Sequence, residues 1–353
     1  MENFYEKNKL VFPNHLSIIW HYHFIKEYYL YLSLYFVLLA VCLYPLPFYI
    51  YTGGGLISVD QRIEIEEKQE IKGSFHLCYV SELRATLPSY ILAKILPSWD
   101  LSPIENSKLT ENETEEDIFK RDRLFLSTGN TNAISLAYEK AGRSFEITGT
   151  KNYILYIDEN AKTTLKIGDD IRKINGKEIN NLEEISEIIA SSNVGDELVF
   201  SVIRNGKITE ATGTVYELNG NHLLGIMIQT GFDYKTDPEI ELHFSDNEAG
   251  SSGGLLLTLS IYNQLTKEDI TKGFKIAGTG TIEMDGTVGE IGGVKYKLAG
   301  AVKEKADVFL VPKGENYEEA IEEQKKHHYK IKIIGVETFD EALKSLENLK
   351  PKM

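Results

Sequence analysis

Cysteine is nearly absent: Cys42 and Cys78 are the only two in 353 residues. Cys42 stands inside an apolar run, which disfavours a structural bridge to Cys78, so the chain does not read as a disulfide scaffold. Neither cysteine has a ligand set around it, so no metal or thiol centre is expected. His-Glu-x-x-His does not occur, which removes the commonest zinc-hydrolase pattern. Gly-x-x-x-x-Gly-Lys-Ser/Thr, the loop that cradles nucleotide phosphates, is missing as well. Lysine and arginine form no cluster and the formal net charge is −15. That argues against the phosphate neutralisation on which nucleic-acid binding rests, and an acidic surface serves solubility instead. No cofactor is implied.

What is present is ordinary in bulk, with 26% charged and 42% apolar residues. The length accommodates two compact domains and an anchor. From Tyr28 to Ile50 the chain carries no charge, and tyrosines crowd both ends of the run as they do at membrane interfaces. About twenty such residues cross a bilayer as a helix, and Pro45 and Pro47 would end it. Lys7, Lys9 and Lys26 precede the run and no further basic residue comes before Arg62. This bias predicts a cytoplasmic tail over 1–27, a single-pass cell-membrane anchor over 28–50 and the remainder extracytoplasmic. Thr52 to Gly55 offer small residues for signal cleavage, but the leader before the run is long for a signal peptide. An uncleaved anchor is the reading preferred.

Beyond the anchor, Gly73 to Val80 reads as a strand and Ser89 to Leu96 as a short helix closed by Pro97. Residues 102–117 are polar and acidic, which predicts an exposed connection. Ile118 to Ala141 reads as helix, with Gly142 as its C-terminal cap. From about 145 to 218 short strands alternate with turns. Asn175-Gly176 and Asn205-Gly206 are hairpin signals, and Leu182 to Ala190 places Leu182, Ile185, Ile188 and Ile189 on one helical face.

The run Leu165-Lys-Ile-Gly-Asp-Asp-Ile-Arg-Lys-Ile-Asn-Gly-Lys-Glu-Ile179, with the helix and strands that follow it, resembles a PDZ domain of bacterial type. The resemblance implies that the strand Tyr153 to Ile157 (Tyr153, Ile154 and Leu155 above all) pairs with an extended peptide. Ile185 and Ile189 of the helix would complete the groove. Thr150-Lys151-Asn152, expected as the loop before that strand, lacks a glycine-rich carboxylate-binding signature. C-terminal and internal peptide segments both remain open as ligands.

Gly250-Ser-Ser-Gly-Gly254 is followed by Gly292-Gly-Val-Lys-Tyr-Lys297, and no histidine lies within either motif. Serine needs a base to act as a nucleophile, and lysine serves once desolvation lowers its pKa. Small neighbours let a substrate backbone approach and let amides point at a developing oxyanion. Leu255 to Leu265 reads as a buried helix, placing Ser252 near a helix N-terminus. Spacing alone leaves Ser251 and Ser252 as rival nucleophiles and Lys295 and Lys297 as rival bases.

The stretch from Phe244 to Val311 resembles the proteolytic domain of Lon-type serine proteases, and more closely the membrane-anchored, PDZ-containing Lon-like family. The resemblance rests on Ala277-Gly-Thr-Gly-Thr-Ile282, Asp285-Gly-Thr-Val-Gly289 and the Gly-Gly-x-x-x-Lys segment. It implies Ser252 as nucleophile, Lys297 as general base, and Thr279 hydrogen-bonded near the lysine. Gly250, Ser251 and Gly253 would form the oxyanion and substrate loop, with Ser251 and Gly253 standing where the family has proline and alanine. Thr338 and Glu341 have the spacing of a capping box opening a last helix. The expected fold is α+β: a transmembrane helix, then a Lon-type proteolytic domain in two parts (60–143 and 235–350) with the PDZ module (145–218) inserted. The expected activity is ATP-independent endopeptidase cleavage of exported or unfolded polypeptides, with homo-oligomers possible in the family. The competing expectation is an impaired, membrane-tethered PDZ scaffold.

Overall fold

A computed structural model describes residues 14–66 and 70–352, without the side chains of 14–27. The elements begin α1 (Asn14–Leu43), β1 (Pro45–Ser58), β2 (Ile63–Ile65), β3 (Ser74–Thr86), α2 (Leu87–Ile95), β4 (Trp99–Pro103) and α3 (Glu115–Lys140). Next come β5 (Ser144–Ile157), β6 (Asp170–Ile174), β7 (Lys177–Glu178), α4 (Leu182–Ser191), β8 (Glu197–Arg204) and β9 (Lys207–Thr214). β10 (Tyr216–Leu218), β11 (Asn221–Leu223), β12 (Ile226–Asp237), β13 (Ile240–Leu242) and α5 (Gly254–Leu265) follow. The chain continues with β14 (Lys275–Gly278), β15 (Thr281–Ile282), β16 (Val288–Gly289), α6 (Val294–Lys303) and β17 (Val308–Pro312). It closes with α7 (Glu315–His327), β18 (Lys332–Val336) and α8 (Phe339–Glu347).

The chain forms two compact units, one comprising residues up to Ile50 with Leu83–Ser102, the other Tyr51–Glu82 with Pro103 onward. In the first, Ile50, Ala85 and Ala93 make a small core with Leu46, Phe48, Trp99 and Leu101. A capping box between Thr86 and Ser89 opens α2. The apolar run expected to cross a membrane divides: helix ends at Leu43, and Pro45 to Ile50 are strand. Proline at 45 and 47 cannot donate to a helix and fits a strand start. Tyr28–Leu43 is largely exposed. Among the described residues no helix is long and apolar enough to cross a membrane. Of the expected tail, 14–27 has helical backbone, and the rest, with Lys7 and Lys9, lies outside the described residues.

In the second unit the main sheet runs β18-β17-β14-β3-β1. β14 lies parallel between two partners, Ile276 standing opposite both Phe75 and Val308. α5 is apolar nearly all round and is buried along its length apart from Tyr262, as a helix of that composition must be. α3 is one continuous helix whose N-cap, Thr114, accepts from the Asp117 amide. The connection over 102–117 is less exposed than its composition predicts. Ile104 and Glu113 are buried, and Glu113 is ion-paired to the buried Arg121. The largest core joins Val59 to Leu77, Ala133 to Tyr138 and Ile240 to Leu349, so it draws on segments from both sides of residues 145–218.

Residues 145–218 contribute a separate core that includes Ile154, Ile171, Ile185, Phe200 and Val202. Its sheet runs β12-β5-β6-β8-β9. Asn175-Gly176 and Asn205-Gly206 turn with positive φ at both positions, as two-residue hairpins require. Asp169 is buried and held by Arg204 through contacts of 2.6 and 2.7 Å. β5 is continuous from Ser144, so Thr150-Lys151-Asn152 is strand and the expected loop is absent. A pairing partner for these polar residues, β12, overrides their local preference.

Candidate active site

The serine motif lies between α3 and the start of α5. Gly250 adopts φ +88, and its amide donates to the Asp122 carbonyl at 2.9 Å. Gly129 of α3 packs on this loop so closely that an added Cβ would meet the Ser251 Cβ at 3.2 Å. Gly253 is the N-cap of α5, and a Cβ there would meet Leu77 Cδ2 at 2.9 Å. A side chain there would have to push the Leu77 methyls aside. Ser252 is left at the mouth of a helix N-terminus, where the helix dipole favours negative charge, while the Gly254 and Leu255 amides donate to the Ser251 and Gly280 carbonyls.

The lysine motif opens α6. Gly293 takes φ 74 as the residue preceding the helix. One turn later Lys297 lies on the same face as Val294, Leu298 and Ala301, all buried. Lys295, two residues away, points elsewhere. It is exposed, with its ammonium over the Tyr296 ring. The structure thus separates the two candidate bases: one is in solvent and the other is 5% exposed. Burial pulls the Lys297 pKa down from 10.5 to about 8. Its neighbour Cys78 is buried, its thiol pushed up to about 12, and is therefore neutral at physiological pH.

Thr279 links the two motifs. Its side chain is fully buried, its Oγ1 accepts from Lys297 Nζ at 3.1 Å and donates to the Ser252 carbonyl at 3.0 Å. The Gly280 amide donates to that same carbonyl at 2.8 Å. Ser252, Thr279 and Lys297 are thus brought together from three separate elements. No hydrogen bond joins Ser252 Oγ to Lys297 Nζ in this state.

Several site residues carry no signal in the sequence. Arg123 Nη1 donates to the Ser245 and Glu248 carbonyls at 3.0 and 2.8 Å. Arg62 donates to the His243 carbonyl and pairs with the Glu248 carboxylate at 2.5 Å. The two arginines fasten the segment entering the serine loop. Glu82, bonded to Tyr51, and Asp122 have carboxyl pKa values raised chiefly by burial. Among the described residues one trio, Glu64, Glu241 and His243, brings possible metal-ligating atoms within 4.8 Å of one another, and all three are exposed.

Residues expected to form a peptide groove are placed differently from one another. Ile185 is buried in the 145–218 core and Ile189 is half-buried against it. Tyr153, Ile154 and Leu155 lie in β5, flanked by β12 on one side and β6 on the other. Tyr153 stands opposite both Gln229 and Asp170, and the Ile154 amide donates to the Asp169 carbonyl.

Two family models match the chain: the PDZ domain over residues 142–215, and the Lon protease (S16) C-terminal proteolytic domain over residues 227–348. Lon protease of Malacoplasma penetrans is 34% identical over 154 residues, covering 40% of this chain and 19% of the relative. Lon protease of Xanthomonas oryzae pv. oryzae is 29% identical over 181 residues, covering 46% and 21%. The chain thus spans about a fifth of the length of these curated relatives. The PDZ domain of an SdrC-like protein from Listeria innocua is 25% identical, covering 22% of this chain and 93% of that one, with a TM-score of 0.21. The chain carries a PDZ domain and a Lon-type proteolytic domain.

Proposed function

We propose that this protein is a serine endopeptidase in which Ser252 is the nucleophile and Lys297 the general base. The observation that carries the reading is the burial of Lys297 within hydrogen-bonding reach of Thr279, whose hydroxyl also holds the Ser252 carbonyl. A lysine with a pKa of about 8 is neutral in a usable fraction of molecules near neutral pH, as a general base must be.

On this reading Lys297 Nζ turns from Thr279 to Ser252 Oγ when substrate enters. It takes the hydroxyl proton as the oxygen attacks the scissile carbonyl. The oxyanion forms beside the N-terminus of α5, where the helix dipole favours the developing negative charge. Protonated Lys297 then gives its proton to the departing amine, leaving an acyl ester on Ser252. Water, deprotonated by the same lysine, hydrolyses the ester and restores the serine. Thr279 positions the ammonium between these steps. The 353 residues hold no nucleotide-phosphate loop, which supports ATP-independent cleavage of polypeptides that are already unfolded. The mixed core of Val59–Leu77, Ala133–Tyr138 and Ile240–Leu349 supports a protease domain in two parts, 60–143 and 235–350, with the PDZ module inserted.

The test is labelling of the full chain by a fluorophosphonate, alongside cleavage of an unfolded protein substrate with chelator present and ATP omitted. Ser252→Ala is expected to lose both labelling and cleavage, and Ser251→Ala to keep both. Cleavage retained in Ser252→Ala would refute the assignment.

A further inference from the structure

β2 and β13 form a two-stranded antiparallel ladder in which Ile240 stands opposite Ile65, Glu241 opposite Glu64 and Leu242 opposite Ile63. Successive side chains of a strand point to opposite faces. On the inner face Ile63, Ile65 and Ile240 are buried in the main core and Leu242 packs against it. The ladder is prolonged by the His243 amide, which donates to the Arg62 carbonyl at 2.9 Å. Glu64, Glu241 and His243 are left exposed on the outer face of a scaffold whose register the core fixes.

The charges on that face are not balanced by the protein. Like charges directly opposite each other on a ladder repel, and Glu64 and Glu241 are such a pair. His243 Nε2 lies 3.0 Å from Glu64 Oε2. Glu241 has no hydrogen-bond or ion-pair partner among the described residues. Arg62, the nearest basic residue in sequence, is engaged by the Glu248 carboxylate and the His243 carbonyl. One donor atom from each of Glu64, Glu241 and His243 lies within 4.8 Å of the other two. Donors sharing a zinc ion at about 2 Å each lie within roughly 4 Å of one another. A small turn of an exposed glutamate side chain closes that gap.

We propose that Glu64, Glu241 and His243 bind a first-row divalent cation, zinc above all. Two carboxylate oxygens and an imidazole nitrogen suit that class of metal, whereas calcium takes a larger, all-oxygen set. Three protein ligands leave one position of a tetrahedral ion to water. The cation neutralises the two facing carboxylates and ties β13 to β2. It does so at the head of the segment entering the serine loop, which Arg62 and Arg123 already fasten. Its role is that of a brace: it supplies none of the Ser252 chemistry, and cleavage continues with chelator present.

The experiment titrates zinc chloride into the full chain carrying Ser252→Ala, stripped of metal by a chelator that is then dialysed away, and follows binding by calorimetry. The parent is expected to bind zinc, and His243→Ala and Glu241→Gln each to bind it roughly tenfold more weakly or worse. His327→Ala with His328→Ala, which removes two exposed histidines elsewhere, is expected to leave the affinity unchanged. Zinc should also raise the melting temperature of the parent and not that of Glu241→Gln. Without metal, Glu241→Gln should melt no lower than the parent, because one of the two facing carboxylates is then neutral. Equal zinc affinity in the parent, His243→Ala and Glu241→Gln would mean an adventitious ion only and overturn the proposal, as would absence of binding by the parent. The readout is zinc binding to a chain that lacks the Ser252 hydroxyl, so its failure is separate from failure of the Ser252–Lys297 assignment.

Discussion

Lys297→Met tests the dyad in two directions at once. The native lysine is 5% exposed and its pKa is lowered from 10.5 to about 8. Between those values the unfolded chain binds a proton that the folded chain does not, so stability rises as pH climbs from about 8 to 10.5. Below about 8 both states are protonated and the full burial penalty, about 3 kcal/mol, is present. Methionine is of similar length and carries no charge, so it removes this penalty and gives up only the bond to Thr279, a loss of about 1–2 kcal/mol. Lys297→Met should therefore be about 1–2 kcal/mol more stable than the parent at pH 7, and the advantage should shrink or reverse near pH 10. Denaturant melts at the two pH values measure this. Cleavage should fall at least roughly 1000-fold, because the variant lacks the proposed general base. In the parent, kcat/KM should rise about tenfold for each pH unit below 8 and level off above it, as the neutral amine accumulates. A flat profile between pH 6 and 9, or a variant both less stable at pH 7 and still active, would refute the reasoning.

Two further outcomes follow from the geometry. Thr279→Val keeps the shape but removes both side-chain hydrogen bonds, so kcat should fall about 10- to 100-fold while Thr279→Ser retains most of the rate, read in steady-state kinetics. Asp169→Asn leaves Arg204 without its carboxylate partner and should destabilise the PDZ core by roughly 3 kcal/mol, seen as earlier loss of protection at the Ile154 and Phe200 amides in hydrogen exchange.

Local pattern was legible where local physics decides. The apolar content of Leu255–Leu265 demanded burial, and each Asn-Gly pair supplied the left-handed positions of a hairpin turn. Spacing left Lys295 and Lys297 as rivals, and burial of Lys297 against exposure of Lys295 divides them. Non-local pairing was hidden. Nothing in Thr150-Lys151-Asn152 announces a strand, because the ladder that makes it one comes from β12, with Lys151 opposite Gly231. Arg62 and Arg123 read as ordinary surface arginines, since the carbonyls they hold lie 181 and 122 residues away. The apolar run after Tyr28 looked uniform in composition, yet proline divides it into helix and strand.

The placement of β14 between β3 and β17 also bears on how the chain is made. The bond from the Gly73 amide to Thr271 spans 198 residues, so during synthesis β3 has no sheet neighbour on that side until the catalytic half has left the ribosome. The PDZ core closes entirely within the intervening stretch and can form first. The nascent protein is then a folded PDZ module between two parts of a proteolytic domain that have yet to meet. High contact order of this kind slows folding, and here it delays closure of the main sheet until β14 has been made.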